Sequence, residues 1–139
     1  MVNQIWEMSA VEVHRLLKGK KLSAREVLES SISRIEEVDN KLNALPEKCF
    51  DRARKIAERI DNNPTKNIRN LHGLPIALKD YNDISCVKTT YGSLLFKDNV
   101  PKDSDRTVRK LEYNGANCVA KSNVPESVSY THLTLPTNR

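Results

Sequence analysis

Apolar positions recur every three or four residues in three stretches of the first sixty residues, and each stretch carries its own start or stop signal. Ser9-Ala10-Val11-Glu12 is a serine followed three residues later by a glutamate, the pattern of a reciprocal helix cap. Val13, Leu16 and Leu17 then fall on one helical face, and Gly19 ends the run. Ser23-Ala24-Arg25-Glu26 repeats the cap, and Leu28, Ile32, Ile35 and Val38 form the next stripe, which predicts a helix to about Asn40. Phe50, Ala53, Ile56, Ala57 and Ile60 form a third stripe, stopped by Asn62-Asn63-Pro64. These stripes are read as core faces rather than binding sites.

After Pro64 the period changes. Residues 65–71 form a polar linker, and strand-like runs follow at 75–79 and near 116–121. Between them, residues 80–103 are rich in Asp, Asn, Thr, Ser and Gly; a loop of that length is usually functional or disordered. Ser104-Asp105 predicts the start of a short helix bearing Val108 and Leu111, with Asn114-Gly115 as its carboxyl cap. The return from that helix into Cys118-Val119-Ala120 is the connection of an α/β fold.

One lysine stands out. Lys79 ends the apolar run Leu74-Pro75-Ile76-Ala77-Leu78. Desolvation disfavours a charged ammonium, and a neutral amine can serve as a general base. The same position also suits a strand-end lysine that lays its stem along apolar surface and keeps its head in water. Asp80 follows directly, and a nearby carboxylate favours the charged form; alternation along a strand turns it to the other face.

Five blocks in order resemble the amidase signature family: His72-Gly73-Leu74-Pro75-Ile76-Ala77-Leu78-Lys79-Asp80, Thr89-Thr90-Tyr91-Gly92-Ser93, Asp98-Asn99-Val100-Pro101, Gly115-Ala116, and Lys121-Ser122-Asn123-Val124-Pro125-Glu126. The likeness runs from about Met8 to Glu126 and takes in Leu22-Ser23-Ala24-Arg25-Glu26. It implies an α/β fold in which this chain supplies amino-terminal helices and the first strands of a large mixed sheet, left incomplete. It also implies amide hydrolysis or transfer through a Ser-Ser-Lys triad, with Lys79 as the triad lysine and no cofactor. Thr90, Gly92 and Asn123 would approach the substrate, although turn and loop stabilisation explains them equally well. The family's Gly/Ser-rich block, which carries both serines, is not found here; Ser85, Ser93 and Ser122 lie outside any such block.

Residues 128–139 do not continue the family pattern and resemble the translation of a transposase-type sequencing adapter. Ser127 stands where family members usually carry an aromatic residue, and is read as the junction codon. The expected organisation is therefore 1–126 as the amino-terminal part of an amidase domain and 127–139 as an artefactual tail.

Composition narrows the partners. Charged residues are 29% and aromatics 5%, and no apolar run approaches a membrane span. Neither a signal peptide nor a membrane anchor is legible at the amino end, so the expected compartment is the cytoplasm. The formal charge of +5 is spread out, with Lys18, Lys20 and Lys21 as its densest cluster. Without a basic stripe interleaved with stacking aromatics, direct nucleic-acid binding is not expected. Cys49, Cys86 and Cys118 are far apart, which suggests reduced thiols rather than a zinc or redox motif. A small-molecule amide is the expected partner, with a homodimer open for the full-length protein.

Two function classes follow. One is an amidase, or the A-type subunit of an amidotransferase, represented by a fragment. Lys79-Asp80-Tyr81-Asn82-Asp83 departs from the Lys-Asp-Asn-Ile type of the transfer-RNA amidotransferases and favours the stand-alone enzyme. The other is a small basic α/β binding module in which Lys79 is structural. As the amino-terminal part of a much larger sheet, strands 75–79 and 116–121 want neighbours, and uncovered apolar edges favour aggregation. Residues 1–126 alone are expected to be poorly soluble and without amidase activity. Light scattering and an ammonia-release assay check this, and a monodisperse, active monomer would contradict both statements.

Overall fold

The computed structural model describes residues 5–63 and 68–124. Its elements run as a 3-10 turn (Ile5–Glu7), α1 (Ala10–Lys18), α2 (Ala24–Leu42), β1 (Glu47–Lys48), α3 (Phe50–Asn62), β2 (Pro75–Lys79), a 3-10 turn (Leu94–Phe96), α4 (Arg106–Tyr113) and β3 (Asn117–Ser122). The proposed adapter-like tail lies outside the described residues.

The two predicted capping boxes form. Ser9 and Glu12 bond each other's backbone amides at the start of α1, and Ser23 and Glu26 do the same at the start of α2. Each box satisfies amide groups that the first helical turn leaves without partners. Asp61, at the end of α3, adds a tertiary cap by accepting from the Ala24 and Arg25 amides at 2.7 and 3.0 Å. The α2 helix runs two residues past Asn40 and ends at Asn43, which takes the left-handed conformation (φ 49°) open to asparagine. Its last inward position is Asp39, which is buried; the carboxylate accepts from the Ala44 and Leu45 amides and pairs with Lys48.

The sheet has the order β1-β3-β2. β1 runs antiparallel to β3, pairing Glu47 with Lys121 and Lys48 with Ala120. β2 runs parallel to β3 from Pro75↔Asn117 to Lys79↔Ser122, and the register shifts between Ile76 and Ala77. That shift leaves Val119 as the extra residue of a bulge. β3 is the central strand and is buried from Asn117 through Lys121, as a parallel strand covered on both faces should be.

Two apolar clusters flank it. α1, α2 and α3 contribute Val13, Leu17, Val27, Leu28, Ile32, Ala53 and Ala57, which pack with Leu74, Val119 and Ala120. On the other side Leu78, Cys118 and Cys49 pack with Ile84, Val87 and Val108 from the long loop and α4. The helical stripes are thus core faces. β1 and the two 3-10 turns carry no apolar period and are too short to be legible in the pattern. No helix among the described residues is long and apolar enough to cross a membrane.

The entry to β2 is set by a close backbone approach. Gly115 has φ +96°, a conformation that side chains rarely adopt, and its carbonyl accepts from the Gly73 amide at 2.9 Å. A Cβ there would lie 2.7 Å from the His72 Cα. Gly115→Ala is expected to cost about 1–3 kcal/mol from strain at that backbone position, more if His72 cannot shift. Chemical denaturation of the full-length protein checks this, and an unchanged midpoint would contradict it.

Candidate active site

β2 ends in Leu78-Lys79-Asp80, and burial alternates along it: Leu78 is buried, Lys79 exposed and Asp80 only 4% exposed. Alternate side chains of a strand face opposite sides, so the carboxylate turns into the fold and the lysine turns out. The Lys79 Nζ lies over the Tyr81 ring, 5.3 Å from its centroid. Its carbonyl accepts from the Asn82 amide at 3.0 Å, which bends the chain into the loop.

Beneath the strand end lies a buried ion pair. Lys121, 0% exposed, brings its Nζ to 2.7 Å from Asp80 Oδ1 and donates to Thr89 Oγ1. No donor is well angled onto Oδ1, so the attraction there is chiefly ionic. The second carboxylate oxygen, Oδ2, accepts from the Thr90 amide at 3.0 Å and from its hydroxyl at 2.6 Å. The Asp80 amide donates to the Ser122 carbonyl, which extends the β2–β3 ladder by one bond. Burial by itself would raise the Asp80 carboxyl; the Lys121 ammonium and the two Thr90 donors outweigh it and hold the group below its usual range.

This pair anchors residues 80–103, which form an ordered loop with tied ends. The Asp83 amide donates to Asp105 Oδ2, and the Asp105 amide donates back to the Asp83 carbonyl, both at 2.9 Å. The Ser85 amide donates to Ser104 Oγ and the Cys86 amide to the Pro101 carbonyl. Thr89 and Asn99 exchange two bonds, amide to carbonyl and side-chain amide to carbonyl. Tyr91 donates to Asp83 Oδ1 at 2.7 Å; that bond and burial push its phenol up to about 12.

The sequence-derived site residues fall into two groups. Thr90 belongs to the Asp80 anchor, and Gly92 (φ 72°) donates its amide to Thr90 Oγ1. Asn123 follows Ser122, the β-sheet partner of Lys79, but its amide donates to the Ala44 carbonyl and its side chain to the Asn43 carbonyl. It joins β3 to the end of α2. The expectation that Lys79 is desolvated does not hold among the described residues, because Lys79 shares with Ala77 the face of β2 that they leave uncovered. The desolvated lysine is Lys121 instead, which ends Ala116-Asn117-Cys118-Val119-Ala120 and is paired with Leu78. The signal for it is the alternation that turns Asp80 inward, since a buried carboxylate requires a partner.

All three cysteines are free. Cys49 and Cys118 are buried together, and the hydrogen bond between them, followed by burial, pushes the Cys49 thiol far above its usual range. For Cys49 that suits packing and not nucleophilic chemistry. No group of three or more His, Cys, Asp or Glu side chains among the described residues could hold a metal ion.

The family model "Amidase" matches residues 26–135. The chain belongs to the amidase family. It is 32% identical over 125 residues to the A-type subunit of the glutamyl-tRNA(Gln) amidotransferase of Sulfurihydrogenibium sp. (strain YO3AOP1), covering 88% of this chain and 26% of that protein. It is 37% identical over 110 residues to the corresponding protein of Anaeromyxobacter dehalogenans (strain 2CP-C), covering 78% and 22%. The fold matches a bacterial aryl acylamidase of the amidase signature family at TM-score 0.78 and 29% identity, over 86% of this chain and 26% of that one. It matches fatty acid amide hydrolase at TM-score 0.81 and 28% identity, over 87% and 22%. The chain thus spans about a quarter of the length of the amidase-family proteins it matches.

Asp80 gives the amidase fold a pH dependence with a definite sign. A carboxyl held below its unfolded value stabilises the fold above that value, and the contribution fades as pH falls through the folded one. Stability is expected to begin falling near pH ~4 and to keep falling below it. Asp80→Asn should flatten this acid limb, and an unaltered limb in urea melts across the acid range would contradict the assignment.

Proposed function

We propose that this chain is the amino-terminal part, residues 1–126, of a cytoplasmic amidase in which Lys79 is the base of a Ser-Ser-Lys triad. The observation that carries the reading is the position of Lys79: last residue of a strand parallel to the central one, exposed, at the lysine of the family motif, with its neighbouring carboxylate tied to Lys121. In the proposed reaction the neutral Lys79 amine takes the proton of a bridging serine, which takes that of the nucleophilic serine. The serine oxygen adds to the amide carbonyl, and the C–N bond breaks as the proton returns to the leaving amine. Water then cleaves the acyl-serine by the same relay in reverse. Backbone amides of a Gly-rich segment would hold the oxyanion.

Thr90 and Gly92 are proposed to line the approach to Lys79, with Asn123 closing the β3 side. Their hydrogen bonds keep the loop in one shape whether or not they touch substrate. The substrate class is a small-molecule amide, the reaction needs no cofactor, and a homodimer is proposed for the full-length protein. Residues 127–139 are proposed to be a foreign tail.

A second reading has its own support. The two curated relatives at 32% and 37% identity are amidotransferase subunits, whereas aryl acylamidase and fatty acid amide hydrolase lie at 29% and 28%. Under that reading the acyl-enzyme chemistry is the same and the released ammonia passes to a second site.

The first experiment is to sequence the genomic locus across codon 127. The frame is expected to continue through an aromatic residue into a Gly/Ser-rich block. In the protein so encoded, Lys79→Ala should lower kcat for a simple amide at least about a hundredfold, the usual worth of a positioned base. A genuine stop after residue 139, or a Lys79→Ala variant with undiminished kcat, would overturn the proposal.

A further inference from the structure

The buried pair beneath Lys79 poses a chemical problem and contains its answer. A base lysine must lose its proton, yet the next residue is an aspartate, and although alternation turns it to the other face, a bare carboxylate one residue away still favours the ammonium. A fold could avoid this by using a neutral residue at position 80. Here the carboxylate is kept, buried, and matched by a second lysine from the neighbouring strand, in register with Leu78 and 2.7 Å from the carboxylate. Thr89 accepts from the Lys121 ammonium, and Thr90 donates twice to the other carboxylate oxygen.

We infer that Lys121 is a positioning residue for the proposed reaction: its ammonium cancels the Asp80 charge, so that Lys79 stands beside a neutral pair. The carboxylate is retained because it does mechanical work as well. It grips both Thr90 donors and so ties the loop to the end of β2, while its backbone amide continues the ladder to Ser122. Lys121 lets the fold keep that grip without presenting a bare carboxylate next to Lys79. The Tyr81 ring also lies over the Lys79 amine, 5.3 Å from its centroid.

The inference rests on Lys79 being the reactive amine, but its test needs no substrate. Full-length protein is exposed at mildly alkaline pH to a trace of an amine-acylating reagent. Acylation of Lys79 is read by peptide mass spectrometry against Lys97, a lysine in the loop outside the pair. Lys121→Met strips the counter-charge and is expected to slow Lys79 acylation about tenfold, the scale of one uncompensated charge at a protein surface. Asp80→Asn/Lys121→Met removes both charges and is expected to return Lys79 to within about twofold of the parent, although the Thr90 grip is weakened.

A purely structural pair predicts otherwise: the double variant should be disturbed at least as much as the single. Equal acylation of Lys79 in the parent and in Lys121→Met would overturn the inference, as would a double variant as slow as the single. If Lys121→Met does not fold, Asp80→Asn alone decides. With no carboxylate present Lys79 should be at least as reactive as in the parent, and a slower Lys79 overturns the inference. Failure of the amidase reading appears separately, as undiminished amide hydrolysis by Lys79→Ala.

Discussion

The Asp80–Lys121 pair is the contact on which the arrangement around Lys79 depends. Both partners are withdrawn from water, a costly step that the fold offsets by their mutual attraction and by the Thr89 and Thr90 hydrogen bonds. That requirement dictates much of the local structure. β2 and β3 must run parallel and in register at Leu78 and Lys121, so that one lysine can reach under the end of the other strand. The loop after β2 must return to deliver Thr89 and Thr90, and it does so with its two ends bonded across Asp83–Asp105 and Ser85–Ser104. A pair this buried stabilises little in net terms, since well-packed apolar residues could replace it. It does, however, penalise any other register, because a shift would leave a charge buried alone.

The core serves the same end. The helical layer and the loop–α4 layer clamp β3 between them, which makes its carboxyl end a fixed platform. Asp39 and Asp61 play smaller versions of the part played by Asp80: each is an acidic side chain at a helix end that satisfies backbone amides of another segment. Carboxylates used as backbone acceptors thus recur where chain segments must meet at a defined angle.

Much of the fold is legible in the residues. Ser9, Ser23 and Gly115 announce their caps through local chemistry, and the three apolar stripes announce the helix faces that join one core cluster with Val119 and Ala120 of β3. Such signals depend on neighbours within a few positions. β1 is not legible, because two residues have no period, and its pairing with Lys121 and Ala120 is a tertiary event. The loop from 80 to 103 is visibly long and polar, but its order comes from contacts between residues ten to twenty-two positions apart. The site divides along the same line. Lys79 is marked by its motif and its apolar approach, and Thr90 and Gly92 by the same family blocks. Lys121 opens the last of the family blocks and ends an apolar run, but nothing local marks it as a buried partner of Asp80. What hides it is the pairing of β2 with β3, which no local pattern states. Lys121 lies on a strand covered on both faces, whereas Lys79 shares with Ala77 the face of β2 that the described residues leave open, and this is why burial falls on Lys121 and not on Lys79.

The most direct measurement of the central claim is a crystal structure of the full-length protein after reaction with an electrophile that traps an activated serine. The account predicts an adduct on a serine beyond residue 126, with the Lys79 Nζ in hydrogen-bond reach of a neighbouring serine hydroxyl and Lys121 still paired with Asp80. An adduct with Lys79 turned away in solvent, or with Lys121 in its place, would contradict it.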